Sequence, residues 1–345
     1  MAYTTINDPS AYFHTQLYTG NGSSQSITND ANAGNFKPDW IWVKNRDSTD
    51  SHMLSDSSRG STNALTSQGT NAEFTPTNGN LAFLTDGFSF GSNNNYNRNT
   101  DSFVAWQWKA NGGTTASNTD GTITSTVQAN TAAGFSIISY TGNGTNGATI
   151  GHGLSQTPQI FFPKCLSTST NWEMYYFPTG GTKQYGYLNL TNAFSTWSYT
   201  APTSTTIGLS GSGDSNGNGR TMIGYAFHSV QGYSKIGTYT GNSNADGVFV
   251  YTGFRPAWLM VKNMSAGQSW WMWDDARIGY NGANYRLRAD ADTAEDADSK
   301  VDFVSNGFKF RDGDNAWNYS GNDFLYMAFA RNPLVATNDV IALAR

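Results

Sequence analysis

One cysteine, Cys165, in 345 residues excludes an internal disulfide and any cysteine-built metal site. Placed in a strand-like run, it reads as a small core thiol. Charged residues make up only 13% of the chain, and a net charge of −5 leaves no basic face. Nucleic acid is therefore not expected as a partner, because phosphate neutralisation needs clustered Lys and Arg. No run approaches the ~20 apolar residues a membrane-spanning helix requires. Met1 to Pro9 has neither the positive start nor the apolar stretch of a secretory signal, so the expectation is a soluble chain made in the cytoplasm. The histidines are His14, His52, His152 and His228, without the spacing of an HExxH metal site, and no Gly-x-Ser-x-Gly elbow occurs. His152, between Gly151 and Gly153, reads as a turn histidine. These absences lead to the expectation of a non-enzyme with no cofactor and no metal.

What the chain has instead is repetition. Tyr18-Thr19-Gly20-Asn21-Gly22 returns as Tyr140-Thr141-Gly142-Asn143-Gly144 and as Tyr239-Thr240-Gly241-Asn242. About twenty residues after each comes a proline and an apolar run ending in lysine: Pro38 to Lys44, Pro158 to Lys164, Pro256 to Lys262. Each copy closes on a third run, Val104 to Trp108, Ile223 to Phe227 and Leu325 to Phe329. A period of about 100 to 120 residues is the size of a domain, not of a solenoid repeat. Aromatics reach 14% and Gly is frequent; the runs alternate, as in Trp40-Ile41-Trp42-Val43, and turn pairs such as Asn78-Gly79, Asp86-Gly87 and Asn306-Gly307 separate them. Alternation with hairpin turn chemistry predicts an all-β fold: three tandem antiparallel β-sandwich modules, jelly-roll or lectin-like. The predicted boundaries are an N-terminal docking arm at 1–11, modules at 12–110, 134–229 and 234–332, and a C-terminal tail at 333–345. Residues 111–133, rich in Gly, Ser, Thr and Asn, read as a flexible linker that lets the first module pivot against a fixed second and third.

Few residues suggest a site. Asp56 with Arg59 recurs as Asp274 with Arg277, and that duplication favours structural ion pairs over acid–electrophile chemistry; the middle copy has Tyr176 where Asp56 projects. Asp290 to Asp298 is acidic but lacks the glycine and ligand spacing of an EF-hand; Asp214 to Gly219 matches only half of one. Aromatics remain. Trp270, Trp271 and Trp273 place rings on both faces of one strand, and Trp197 with Tyr199 forms a second cluster. Exposed rings stack on sugars and anchor protein interfaces, so these five are the binding candidates.

The combination of motifs resembles the tandem-repeat tail-fibre and virion structural proteins of marine and cyanobacterial bacteriophages. It rests on Met1-Ala2-Tyr3-Thr4-Thr5-Ile6, the Tyr18 and Pro38 runs, Asp56-Ser57-Ser58-Arg59-Gly60, Val104-Ala105-Trp106-Gln107-Trp108-Lys109-Ala110 and the closing Ala342-Leu343-Ala344-Arg345. The resemblance implies a virion location and a tail-fibre role in host attachment. Its implied partners are other virion proteins, reached through the arm, and a host-surface receptor with glycan as the candidate class. It further implies a homotrimer, no membrane insertion and no catalytic residues. A capsid decoration protein and a free lectin-like module are the alternatives.

Overall fold

The computed structural model describes residues 4–31, 33–277, 285–297 and 300–333. The protein is all-β and antiparallel; among the described residues the only helical pieces are one turn at Asn94–Asn97 and a short 3-10 turn at Pro9–Ala11. Three large sheets carry the chain. The first orders Phe13–Thr19, Ser102–Trp108, Trp40–Asn45 and Met53–Asp56. The second repeats that order with Phe135–Thr141, Thr221–Phe227, Ile160–Cys165 and Glu173–Tyr176, and the third with Ser234–Thr240, Asp323–Pro333, Phe254–Asn263 and Trp270–Asp274. A smaller sheet covers the outer face of each: Gln25–Ile27 with Phe88–Phe90 and Ala82–Phe83, Thr149–Gly151 with Thr206–Gly208, and Phe249–Tyr251 with Gly307–Phe310 and Val301–Val304.

Successive side chains of a strand point to opposite faces, and here both faces are covered. Ile41 and Val43 face the small sheet in a local core with Phe88 and Phe90. Trp40 and Trp42 face the other way into a central core that also takes Ile160 and Phe162, and Trp258 and Met260. Burial on both sides explains why these runs are apolar throughout instead of half polar. The centre is aromatic. Trp40 stacks on Tyr225 at 4.4 Å, Trp108 meets Trp258 edge-on at 5.7 Å, and Phe227 meets Phe329 at 5.9 Å. Each such ring is worth roughly 1.5–3 kcal/mol of apolar burial. The three sheets are thus not beads on a string. Expected freedom of the first module is not found, because its tryptophans complete a core shared with the other two.

The seams between sheets repeat as well. Trp172 Nε1 donates to the Thr66 carbonyl and Trp270 Nε1 to the Tyr187 carbonyl, both at 2.8 Å; His52 Nε2 reaches the Arg288 carbonyl at 2.9 Å. His52, Trp172 and Trp270 are the same repeat position, so each sheet hands one N–H to the sheet beside it, and the circle closes. A backbone bond runs likewise from Glu73 N–H to the Leu166 carbonyl, from Phe194 to Met264 and from Glu295 to Arg46. The repeated lysines belong here too: Lys164 Nζ donates to the Thr70 carbonyl at 3.0 Å and Lys262 Nζ to the Thr191 carbonyl at 3.1 Å, while Lys44 Nζ donates to the Asn45 and Ser48 carbonyls at 2.6 and 2.9 Å. Burial pulls all three ammonium groups down to about 8.

The Tyr-Thr-Gly-Asn signature is a staple for the long loop before each closing strand. Tyr18, Tyr140 and Tyr239 donate their hydroxyls to the carbonyls of Tyr96, Ser215 and Trp317. The next residues, Asn97, Asn216 and Asn318, are fully buried and accept from the N–H of Asn21, Asn143 and Asn242 at 2.7, 2.9 and 3.0 Å. Gly20 is required because a Cβ there would sit 2.1 Å from the Arg98 carbonyl oxygen.

Two segments differ from expectation. Residues 111–133 are not a free linker: Ala116–Asn118 and Ser125–Asn130 are strands that extend the second sheet. Gln128, buried within it, accepts from Gly113 N–H at 2.8 Å and donates to Ser57 and Ser58 of the first sheet. Polar composition concealed an alternation in which Ile123 and Val127 point inward. The described part of the N-terminal arm is likewise built in. Ile6 lies in the central core and Thr4 donates to the Gln231 carbonyl at 2.7 Å, so residues 4–11 lock the first sheet to the third. Residues 1–3 and 334–345, hence nearly all of the C-terminal tail, lie outside the described residues.

Candidate functional site

Two buried ion pairs tie neighbouring sheets together. Asp56 and Arg59 pair directly; Asp56 Oδ1 also accepts from the N–H groups of Ser58 and Arg59 at 3.0 and 2.9 Å. Arg59 further reaches Glu73 at 2.9 Å and the Leu54 carbonyl at 3.1 Å. In the third sheet Arg277 Nε bonds Asp274 at 2.6 Å and its Nη1 bonds Glu295 at 3.2 Å. Each carboxylate also takes a donor from a neighbouring sheet. Tyr225 of the second donates to Asp56 Oδ2 at 2.7 Å, and Trp106 of the first donates to Asp274 Oδ2 at 3.0 Å. Trp106 and Tyr225 are the same repeat position, the third residue of the closing run. In the remaining pairing, of the third sheet with the second, the third copy has Met327 at the donor position and the second has Tyr176 in place of the aspartate, so donor and acceptor are lost together. These pairs pin sheets to one another. Burial and the adjacent carboxylate oppose each other at Arg59, whose guanidinium stays firmly charged.

His52 and His152 are also committed. Trp42 Nε1 donates to His52 Nδ1 at 2.8 Å, which places the imidazole proton on Nε2; burial and nearby Lys44 push the ring down to about 3. His152 is buried in its turn, with Nδ1 accepting from Leu154 N–H at 3.2 Å, and burial pushes it to about 4. Among the described residues no group of three or more His, Cys, Asp or Glu is placed to hold a metal ion. Asp290 caps Trp270 N–H at 2.9 Å and Asp214 caps Asn171 N–H at 2.9 Å; Asp298 lies outside the described residues. Cys165 is buried and unpaired, at the position held by Asn45 and Asn263 in the other copies.

The aromatic candidates divide. Trp270 and Trp273 are core residues, and Trp197 is buried against Tyr175 at a ring separation of 4.1 Å. Trp270 and Trp273, candidates for exposure because they sit on opposite faces of one strand, are both covered, by the central core and by the third sheet's local core respectively. Trp271 is half-buried, with the Arg286 and Arg288 guanidinium groups 4.4 and 5.4 Å from its ring centre. Tyr199 is 36% exposed and packs edge-on to Trp197.

The rings that do face solvent lie elsewhere. Among the described residues the exposed large apolar side chains are Tyr199, Phe249, Tyr251, Tyr285 and Tyr319, so all but Tyr199 belong to the third repeat. Phe249 and Tyr251, 45% and 53% exposed, flank buried Val250 on an edge strand of the outer sheet. The matching positions are the exposed Ser26 and Thr28 in the first copy and half-buried Thr149 and buried Gly151 in the second. Reading the sequence alone overlooked this pair, yet the signal was present: aligning Phe249-Val250-Tyr251 with Ser26-Ile27-Thr28 shows aromatics exactly where one copy departs from its siblings. A second feature is an open polar groove of about 450 Å³ at the seam of the first and second sheets, lined by Glu73, Leu166, Thr126 and Thr221 among others.

No curated protein and no solved structure matches this chain. A family model described as a domain of unknown function, DUF7483, matches residues 8–333, a span that takes in all three large sheets and the seams between them. The chain belongs to the DUF7483 family.

Proposed function

We propose that this protein is a structural, non-enzymatic component of a bacteriophage particle: a tail fibre or similar appendage whose third repeat touches the host surface. The supporting observation is the asymmetry of the exposed rings. Three copies of one architecture share a core, and only the third carries exposed aromatic rings, Phe249 and Tyr251, at these positions of its outer edge. Solvent-facing aromatics on a rigid sheet suit stacking on sugar rings, which keeps glycan as the candidate receptor class. The homotrimer belongs to the same proposal and rests on the resemblance. Labelled antibody against the chain, imaged on intact particles, tests the location. Density at the tail supports a fibre, density on the head supports capsid decoration instead, and no particle-bound label refutes both. A glycan array compares the chain with its Phe249→Ala/Tyr251→Ala variant; a signal that the variant retains refutes the contact surface.

A further inference from the structure

The three seams between sheets are homologous, but they are filled differently. Repeat positions 46, 166 and 264 hold Arg46, Leu166 and Met264, and the facing positions hold Glu295, Glu73 and Phe194. In each seam the same backbone bond joins the facing pair, so their side chains start from equivalent places. Between the third and first sheets, Arg46 makes a two-pronged pair with Glu295 at 2.9 and 2.6 Å, and Arg277 supplies a second arginine to that carboxylate. Between the second and third sheets, Phe194 and Met264 close the seam with apolar groups, Phe194 packing on Trp270 at 5.9 Å. Between the first and second sheets, Glu73 keeps its own Arg59 at 2.9 Å, but Leu166 stands where the second arginine belongs. Among the described residues no other cation pairs with Glu73, whose side chain is 23% exposed against 9% for Glu295. The groove of about 450 Å³ lies at this seam, and Thr126, Ser139, Thr141 and Thr221 place hydroxyls along its wall.

We propose that this seam is a receptor site for an arginine side chain presented by a partner polypeptide. The guanidinium takes the place in trans that Arg46 takes in cis at the third seam, with two parallel N–H donors on Glu73. Carboxylate and guanidinium match in planar geometry, and such charge-assisted pairs are roughly twice as strong as neutral hydrogen bonds. The groove is much larger than one guanidinium, and its hydroxyls supply donors and acceptors for the peptide groups on either side of the arginine. This site is separate from the aromatic edge of the third repeat.

Titrating the full chain with agmatine, followed by amide chemical shifts, tests the site; urea and putrescine serve as comparators. The expected result is saturable shifts at Glu73, Thr126 and Thr141, with tighter binding than either comparator. Affinity should fall at least about tenfold in Glu73→Gln, consistent with loss of a charge-assisted pair. Leu166→Arg should also abolish binding and raise the melting temperature, since it builds the missing arginine into the seam. Phe249→Ala should bind as the parent does, which separates this site from the proposed receptor surface. Absence of shifts at the groove, unchanged binding in Leu166→Arg, or equal binding of urea and putrescine would overturn the proposal. If Leu166→Arg fails to fold, Glu73→Gln decides alone, and undiminished binding by it is equally fatal.

Discussion

At the scale of single residues, buried polar groups carry most of what is particular to this chain. The Asp56 carboxylate is wholly buried and accepts from Arg59, two backbone N–H groups and the Tyr225 hydroxyl. Tyr225→Phe removes one of those donors without changing the stacked ring, and it should cost about 1–3 kcal/mol in urea unfolding. Gly20→Ala should cost at least as much, because its methyl meets a backbone carbonyl that the stapled loop holds in place. His52 makes a pH prediction. Its folded value, about 3, lies below the ordinary value of 6.5, so between those limits the unfolded chain binds a proton that the folded chain refuses. Stability therefore falls as pH drops below about 6.5, and His152 adds in the same direction. Melting temperatures of the parent and of His52→Gln across pH 4 to 7 check this, with the flatter profile expected for the variant. The duplicated Asp56/Arg59 and Asp274/Arg277 spacing was readable from the chain as a local pair. The inter-sheet donors Tyr225 and Trp106 were not, since they lie more than 160 residues away in sequence.

Strands and sheets show a sharper division between what was legible and what was not. Alternation in Trp40-Ile41-Trp42-Val43 identifies a strand with two chemically different faces, and the turn pairs mark its neighbours. What covers each face depends on partners about a hundred or more residues distant, which periodicity does not encode. That is why Trp270 and Trp273 read as exposed, and why Ser125–Asn130, with its Thr- and Asn-rich surroundings, read as linker. The buried lysines are an element-scale device: each ends a central strand and ties it to loop carbonyls, and at Lys164 and Lys262 the tie crosses a seam. Their folded values near 8 lie below the ordinary 10.5. Between about pH 8 and 10 the unfolded chain retains protons the folded chain has released, so stability rises with pH over that window. Above about 10 the buried tyrosines, held up by burial, reverse the trend. Chemical denaturation at intervals from pH 7.5 to 10 measures the rise, which Lys262→Met should diminish.

For the whole molecule, the three sheets form one object. The central core takes residues from all three and leaves a void of only about 10 Å³. The N-terminal segment contributes Ile6 to the same core, so removing residues 1–11 should destabilise the entire chain and not merely detach it from a partner. Calorimetry of the full chain asks most directly whether the sheets stand or fall together. The shared core predicts a single transition whose calorimetric and van't Hoff enthalpies agree, shifted downward as a whole by Trp258→Ala. Two or three resolved transitions, with only one of them moved by Trp258→Ala, would contradict it.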